Sequence, residues 1–389
     1  MRVVVTGLVA TYPVGGVAWD YLQYVQGFRA LGCEVTYLED TGQWFYDPVA
    51  GTFTPEPTTG VRFLAATLER LEPGMAGHWA VRAIDGTMHG QAEAAVHRAC
   101  ADADLFLNVS GGCWLREPYR AARVTAYLDS DPSYSQAKLA AVDAGTTDDE
   151  LLRSARLIRA HDVFFTLGEH IGAADCRVPT VGIKWKPTRQ PIVLDAWPVT
   201  PGPAAAPFTT VLSWKINPTP PTVGGVVYGG KDVEFERFLD LPRRTPDRLE
   251  AAIAGDAPRD RIADAGWTVR DARDVSATLD DYRDYITGSR GELSVAKNAY
   301  VATRSGWFST RSAAYLASGR PCVLQDTGFS SHIPCGPGLH AFTTAAEAVA
   351  ALDAIRANYA HACEHARSVA ETCFRAEDVC RRLLDDALG

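Results

Sequence analysis

Short β-branched apolar runs alternate with longer stretches whose large apolar residues recur at helical spacing. Residues 2–6 (RVVVT) predict a strand, 17–31 (VAWDYLQYVQGFRAL) a helix, and 33–39 (CEVTYLE) a second strand. Further strands are expected at 104–109, 123–128, 162–167 and, in part, 178–183, with helical stretches such as 149–160 between them. Such alternation implies parallel strands joined by crossover helices.

The rhythm stops at a proline cluster: Pro187, Pro191, Pro198, Pro201, Pro203 and Pro207. Proline removes backbone donors and restricts its predecessor, so this stretch suits neither a strand nor a helix interior. Alternation then restarts. Strands are expected at 208–214, 248–253, 267–270, 292–296 and 321–325, and helices at 231–241, 257–265, 278–288 and 309–318. The tail from about 345 to 387 reads as helical. The fold class is therefore α/β, with two Rossmann-like doubly wound domains facing a cleft. The expected division is 1–190, a Pro-rich linker at 191–207, a second domain at 208–370, and a last helix within 371–389. Open α/β sheets bind ligands beyond the carboxyl ends of their strands, so the loops after strands are where chemistry is sought.

Apolar residues make up 47% and charged residues 22% of the 389, enough for two cores. A net charge of −9 gives no global basic field, which argues against a nucleic-acid polymer or an anionic membrane as partner. The start reads directly as a strand, and no run of about 18 apolar residues exists, so neither a signal peptide nor a membrane span is expected. Nine dispersed Cys without C-x-x-C pairing read as reduced thiols of a cytoplasmic protein, not as a zinc site.

The most informative stretch is 306–329, GWFSTRSAAYLASGRPCVLQDTGF. Ser309 and Thr310 fall where a helix begins, and Arg311 lies in its first turn. Free N–H groups there favour an anion, and a guanidinium could clamp a phosphate. Thr327, Gly328 and Phe329 follow the next strand as a loop, with Gly328 permitting close backbone approach. Ser213, Trp214 and Lys215 end the first strand of the second half, and Lys231 opens the following helix after Gly229-Gly230. A cation at a helix start is mildly unfavourable by dipole, which favours a phosphate-binding role for Lys231. SRGELSVAKNAY (289–300) brings Glu292, Lys297 and Asn298 near the same place.

In the first half, Gly15-Gly16 between strand and helix suggests a phosphate cradle, and Asp20 stands one turn on as a candidate base. In YLDSDPSY (127–134), Asp129 is preferred over Asp131 as ligand contact or base; an Asx-turn before Pro132 is the plainer explanation. The loop NVSGGCW (108–114), one of His78, His89 and His170, and the aromatics Trp19, Trp44, Phe45, Tyr46 and Trp114 are candidates for lining an acceptor site. His361 and His365 read as a solvated helix face.

The pattern S-x-W-F-S-T-R-S-x-x-Y-L-A-S-G-R-P-x-V-L-x-D-T-G-F resembles the donor-binding segment of glycosyltransferases of the B-type fold, similar to family 4-like enzymes and the CgeB-like group. The likeness covers roughly 208–385. It implies a nucleotide-sugar held in the cleft by the second domain and an acceptor met by the first. The acceptor would be a small molecule or a glycan offering a hydroxyl or amine. It further implies a final helix crossing back to the first domain, no metal, and no cofactor beyond the donor as co-substrate. Two Glu usual around this helix are replaced by Gly306 and Ala314, so the resemblance leaves ribose binding to another residue, with Glu292 as candidate. An epimerase of the same fold and a non-catalytic carbohydrate- or nucleotide-binding protein are the alternatives.

Overall fold

The computed structural model describes residues 1–389 apart from 201, 204 and 216–220; Pro201 of the proline cluster thus lies outside the described residues. The first sheet has eight strands. Their order is Trp185–Pro187, Val163–Thr166, Val124–Asp129, Leu105–Val109, Arg2–Thr6, Glu34–Glu39, Trp79–Arg82 and Met88–Gly90. All neighbours are parallel except the last pair. The second sheet is wholly parallel, in the order Thr268–Asp271, Leu249–Ala254, Phe208–Ser213, Gly291–Ser294, Cys322–Gln325 and Leu339–Phe342. Its first strand in sequence lies third, so the order reverses there, as at a doubly wound switch point.

Parallel strands covered by helices on both faces need apolar residues throughout. Leu105–Val109, Gly291–Ser294 and Cys322–Gln325 are buried at every position. The expected strand at 178–183 is absent. Val181 and Gly182 both have positive φ there, and the edge strand forms at Trp185–Pro187. Pro187 is tolerated because that strand is the sheet's edge. Proline-rich residues nearby are packed as well: Trp197 is fully buried against Trp19, with ring centroids 4.9 Å apart.

The tail forms three helices, Ala345–Ala357, Tyr359–Cys373 and Ala376–Leu388. The last packs on Gly15–Ala30, behind the first sheet. Gly27 allows this approach, since a Cβ there would come within 2.5 Å of Cys380 Sγ. Where the chain returns, it pairs with its own outward passage. Ile192 N–H donates to Phe374 O (2.7 Å) and Ala376 N–H to Ile192 O (3.0 Å). No helix among the described residues is long and apolar enough to cross a membrane.

Candidate functional site

The carboxyl ends of both sheets border one cavity of about 610 Å³, within the range of small-molecule sites. Contacts between the halves close it on two sides. On one, Gly15 N–H donates to Ser276 O (2.7 Å) and Trp19 Nε1–H to Leu279 O (3.1 Å). On the other, Trp307 Nε1–H donates to Ser130 O (3.1 Å), and the Ser133 and Thr303 hydroxyls lie 2.9 Å apart.

Lys231, Ser213, Ser309, Thr310, Arg311 and Lys297 line the cavity from the second sheet. Lys231 is 7% exposed and has no hydrogen-bond or ion-pair partner among the described residues. Burial, reinforced by the charges of Arg311 and Lys297, pushes its ammonium well below the usual lysine range. A buried cation beside two others is costly unless an anion joins them. The helix Thr310–Ala317 starts at this point, and its N-cap Ser309 makes no side-chain capping bond.

Arg311 is held rigidly. Its Nε–H donates to Glu292 Oε1 (2.6 Å), Nη1 to Val211 O (2.7 Å) and Nη2 to Ser294 Oγ (2.9 Å). Burial works against its charge, but the Glu292 carboxylate holds its pKa above the ordinary value. Glu292 is itself fully buried and lies off the cavity wall, so it positions Arg311 and cannot reach a ribose in the cavity.

From the first sheet, Gly16, Asp20, Tyr21, Ser110, Ser130 and Asp131 line the cavity. Asp20 is exposed on the cavity's lining, yet protein surrounds the cavity there. That enclosure raises its carboxyl to about 7, against the lowering influence of the Thr310 hydroxyl and Arg311. Asp131 is the opposite case. Burial would raise it, but the Lys297 ammonium at 2.5 Å and the Tyr300 hydroxyl hold it below the usual carboxylate range.

The structure reverses the preference between the two aspartates of 127–134. Asp129 is 1% exposed and accepts from Ser135 Oγ (2.8 Å), Gln136 Nε2 (2.8 Å) and Thr166 Oγ1 (2.9 Å). It lies outside the cavity, and Asp131 lines it. The two carboxylates are engaged by separate partners and do not converge.

Other expected contacts serve packing. Gly15 lies at the seam: a Cβ there would be 2.0 Å from Thr278 O. Trp214 is buried edge-on against Phe235, and Lys215 lines a separate, shallower depression with Asp232 and Glu236. Asn298 accepts from Gly229 N–H (3.0 Å) and donates to Glu234 (2.7 Å), off the cavity. Thr327, Gly328 and Phe329 face the seam instead of the cavity. Thr327 donates to Trp307 O (2.6 Å), Phe329 is buried against Phe308, and a Cβ on Gly328 would sit 3.3 Å from the His170 ring. Gly306 has φ +80 and a Cβ there would meet His170 N at 2.4 Å, while Ala314 is buried, so neither position could present a carboxylate.

His170 bonds His332 across the seam (2.9 Å) and Asp175 on its own side (2.7 Å), away from the cavity. Of the five aromatics singled out, only Tyr46 lines the cavity; Trp19 and Phe45 are core. Sequence reasoning missed Tyr12, Phe53, Arg273, Ser276 and Tyr282, which also line it. Arg273 carried a usable signal, since it follows the strand Thr268–Asp271.

No family model and no curated protein matches the sequence. Solved structures match over its whole length. A glycosyltransferase involved in avilamycin A biosynthesis is 13% identical, with a TM-score of 0.54, covering 100% of this chain and 97% of that one. The chain has the GT-B fold. An α-glucosyltransferase in complex with UDP and a 13-mer DNA is 11% identical (TM-score 0.57; 100% and 99% covered). The Anabaena protein HepE, in complex with UDP and glucose, is 11% identical (TM-score 0.51; 99% and 98% covered). At such identities the likeness is one of fold.

Proposed function

We propose that this protein is a glycosyltransferase. It moves a sugar from a nucleotide-sugar to a hydroxyl or amine of an acceptor, and its donor segment at 306–329 is of the family 4-like or CgeB-like kind. The observation that carries this is Lys231, a buried cation with no partner among the described residues, next to Arg311 and an uncapped helix start at the strand ends of the second sheet. The diphosphate of the donor satisfies all three. Neutralising it makes the nucleoside diphosphate a better leaving group, with no metal or further cofactor in the scheme.

The acceptor heteroatom bonds the anomeric carbon as the bond from that carbon to the β-phosphate oxygen breaks. If configuration inverts, Asp20 takes the acceptor's proton; a carboxyl raised to about 7 suits a base working near neutrality. If it is retained, the departing phosphate takes the proton. Asp131 is tied to Lys297, so it is the weaker base in this arrangement. Closure around the cavity excludes water that would hydrolyse the donor.

Titration calorimetry with UDP, TDP, GDP and ADP tests the reading. At least one binds the wild type, and Lys231→Met weakens it by about ten- to a hundredfold, the value of a charge-assisted hydrogen bond. Without ligand, the same variant melts higher by about 2–4 °C, because a strained buried charge is gone. Failure of all four to bind, or equal binding by Lys231→Met, sinks the reading.

A further inference from the structure

The two walls of the cavity are opposite in character. Every cation on its lining, Lys231, Arg273, Lys297 and Arg311, comes from the second sheet's side. Among the described residues, the wall from the first sheet's side contributes no Lys, Arg or His, and its carboxyls are Asp20 and Asp131. Part of its polar surface is engaged with neighbours, while the Tyr12, Tyr24 and Tyr46 hydroxyls have no partner among the described residues. Tyr21 Oη–H donates to Ser110 Oγ (2.9 Å), Ser130 Oγ–H donates to the same atom (2.7 Å), and the Gln190 amide donates to Phe308 O.

Much of what remains on that wall is ring surface. Tyr12 stacks on Tyr46 (6.4 Å, 28°) and meets Phe53 edge-on (5.7 Å, 86°). Tyr46 and Phe53 belong to a small hairpin, Phe45–Asp47 with Thr52–Thr54, outside both sheets. Tyr46 N–H donates to Thr11 O (2.8 Å), fixing the hairpin over the loop that bears Tyr12. Phe53 is 46% exposed at the cavity's edge. An exposed aromatic cluster at a cavity mouth marks a place where ring surface is to be covered.

Resting on the glycosyl-transfer reading above, we propose that the acceptor is a small, flat, largely apolar ring compound. It carries a hydroxyl or amine and no anionic group, and it sits on Tyr12, Tyr46 and Phe53. Three physical terms select it. Aromatic faces gain most from another flat ring. A polyol would leave its hydration shell for a wall whose unbonded neutral groups are a few tyrosine hydroxyls. An acceptor phosphate or carboxylate would lie against Asp20 and Asp131, and the cation nearest the hairpin, Arg273, is already paired with Asp271.

Ligand-observed NMR titrations of the full chain, with UDP present and its binding recorded in the same samples, separate these classes. The probes are β-naphthol, β-naphthyl phosphate and methyl glucoside. β-Naphthol binds most tightly, and Phe53→Ala and Tyr46→Ala each weaken it by about three- to tenfold. Phe53 is half exposed, so its variant folds, and unchanged UDP affinity verifies that. The proposal is overturned if no probe binds, if methyl glucoside or β-naphthyl phosphate matches β-naphthol, or if neither variant weakens β-naphthol. Loss of UDP binding with β-naphthol retained sinks the donor reading instead and leaves an aromatic-ligand site standing.

Discussion

The wall contributed by the second sheet and the wall contributed by the first differ in chemistry and in how they are built. The second-sheet wall places charge at the ends of regular elements. Lys231 opens a helix, Arg311 sits in the first turn of another, and Lys297 precedes a third. Their positions follow from backbone geometry, and Arg311 is braced by three acceptors. The first-sheet wall places rings on a loop and a short hairpin outside both sheets, joined by a backbone hydrogen bond and ring packing. A diphosphate of fixed shape suits a rigid cationic site, whereas a ring surface tolerates adjustable partners.

The sharpest way to break this division is at Asp20, the carboxyl that faces the cationic wall. With inversion, Asp20→Asn lowers kcat by about 10²–10⁴-fold, the usual worth of a general base. The base acts as carboxylate, so the wild-type rate falls with each pH step below about 7 and levels off above it, and the variant loses this dependence. A flat wild-type profile and a nearly active variant would assign the proton to the donor's own phosphate. Product anomeric configuration, read by NMR, verifies which route operates.

Next in size is Arg311→Ala. It leaves Glu292 buried and uncompensated, at a cost of about 3–5 kcal/mol in urea unfolding. Pairing it with Glu292→Leu removes the stranded charge and restores much of that stability without restoring nucleotide affinity. An Arg311→Ala chain as stable as the wild type would show that the brace is dispensable.

The smallest effect is expected at the seam. Gly15→Ala forces a methyl against Thr278 O, costing about 1–3 kcal/mol by overpacking, and activity drops because the halves meet less closely. Thermal melts and donor hydrolysis in the absence of acceptor measure it: hydrolysis rises relative to transfer as water enters.

The alternation of strands and helices was legible because parallel strands demand continuous apolar runs, as in 105–109 and 322–325. Lys231 and Arg311 were legible because helix starts are readable and a cation there is out of place by dipole. Asp129 misled, since D-S-D offers no hint of which carboxylate the strand end buries; Thr166, thirty-seven residues on, accounts for part of that burial. The loop 327–329 misled for the same reason. It does follow a strand, but a seam partner, His170, takes the place a ligand was expected to hold. Tyr12 and Phe53 meet only through tertiary packing of a short hairpin, whose three-residue strands are too brief for a local periodicity to mark.

The paired passages at Ile192 and Phe374–Ala376 have a mechanical consequence. A single covalent linker would let the halves twist, slide or separate. Two stitched together form a pin, about which the halves can swing but along which they cannot shear. A rotation about that pin would part Gly15 from Ser276 and Asp131 from Lys297. The final helix, Ala376–Leu388, anchors one end of that pin to the first sheet's helix. Removing it would unhinge the molecule instead of trimming it.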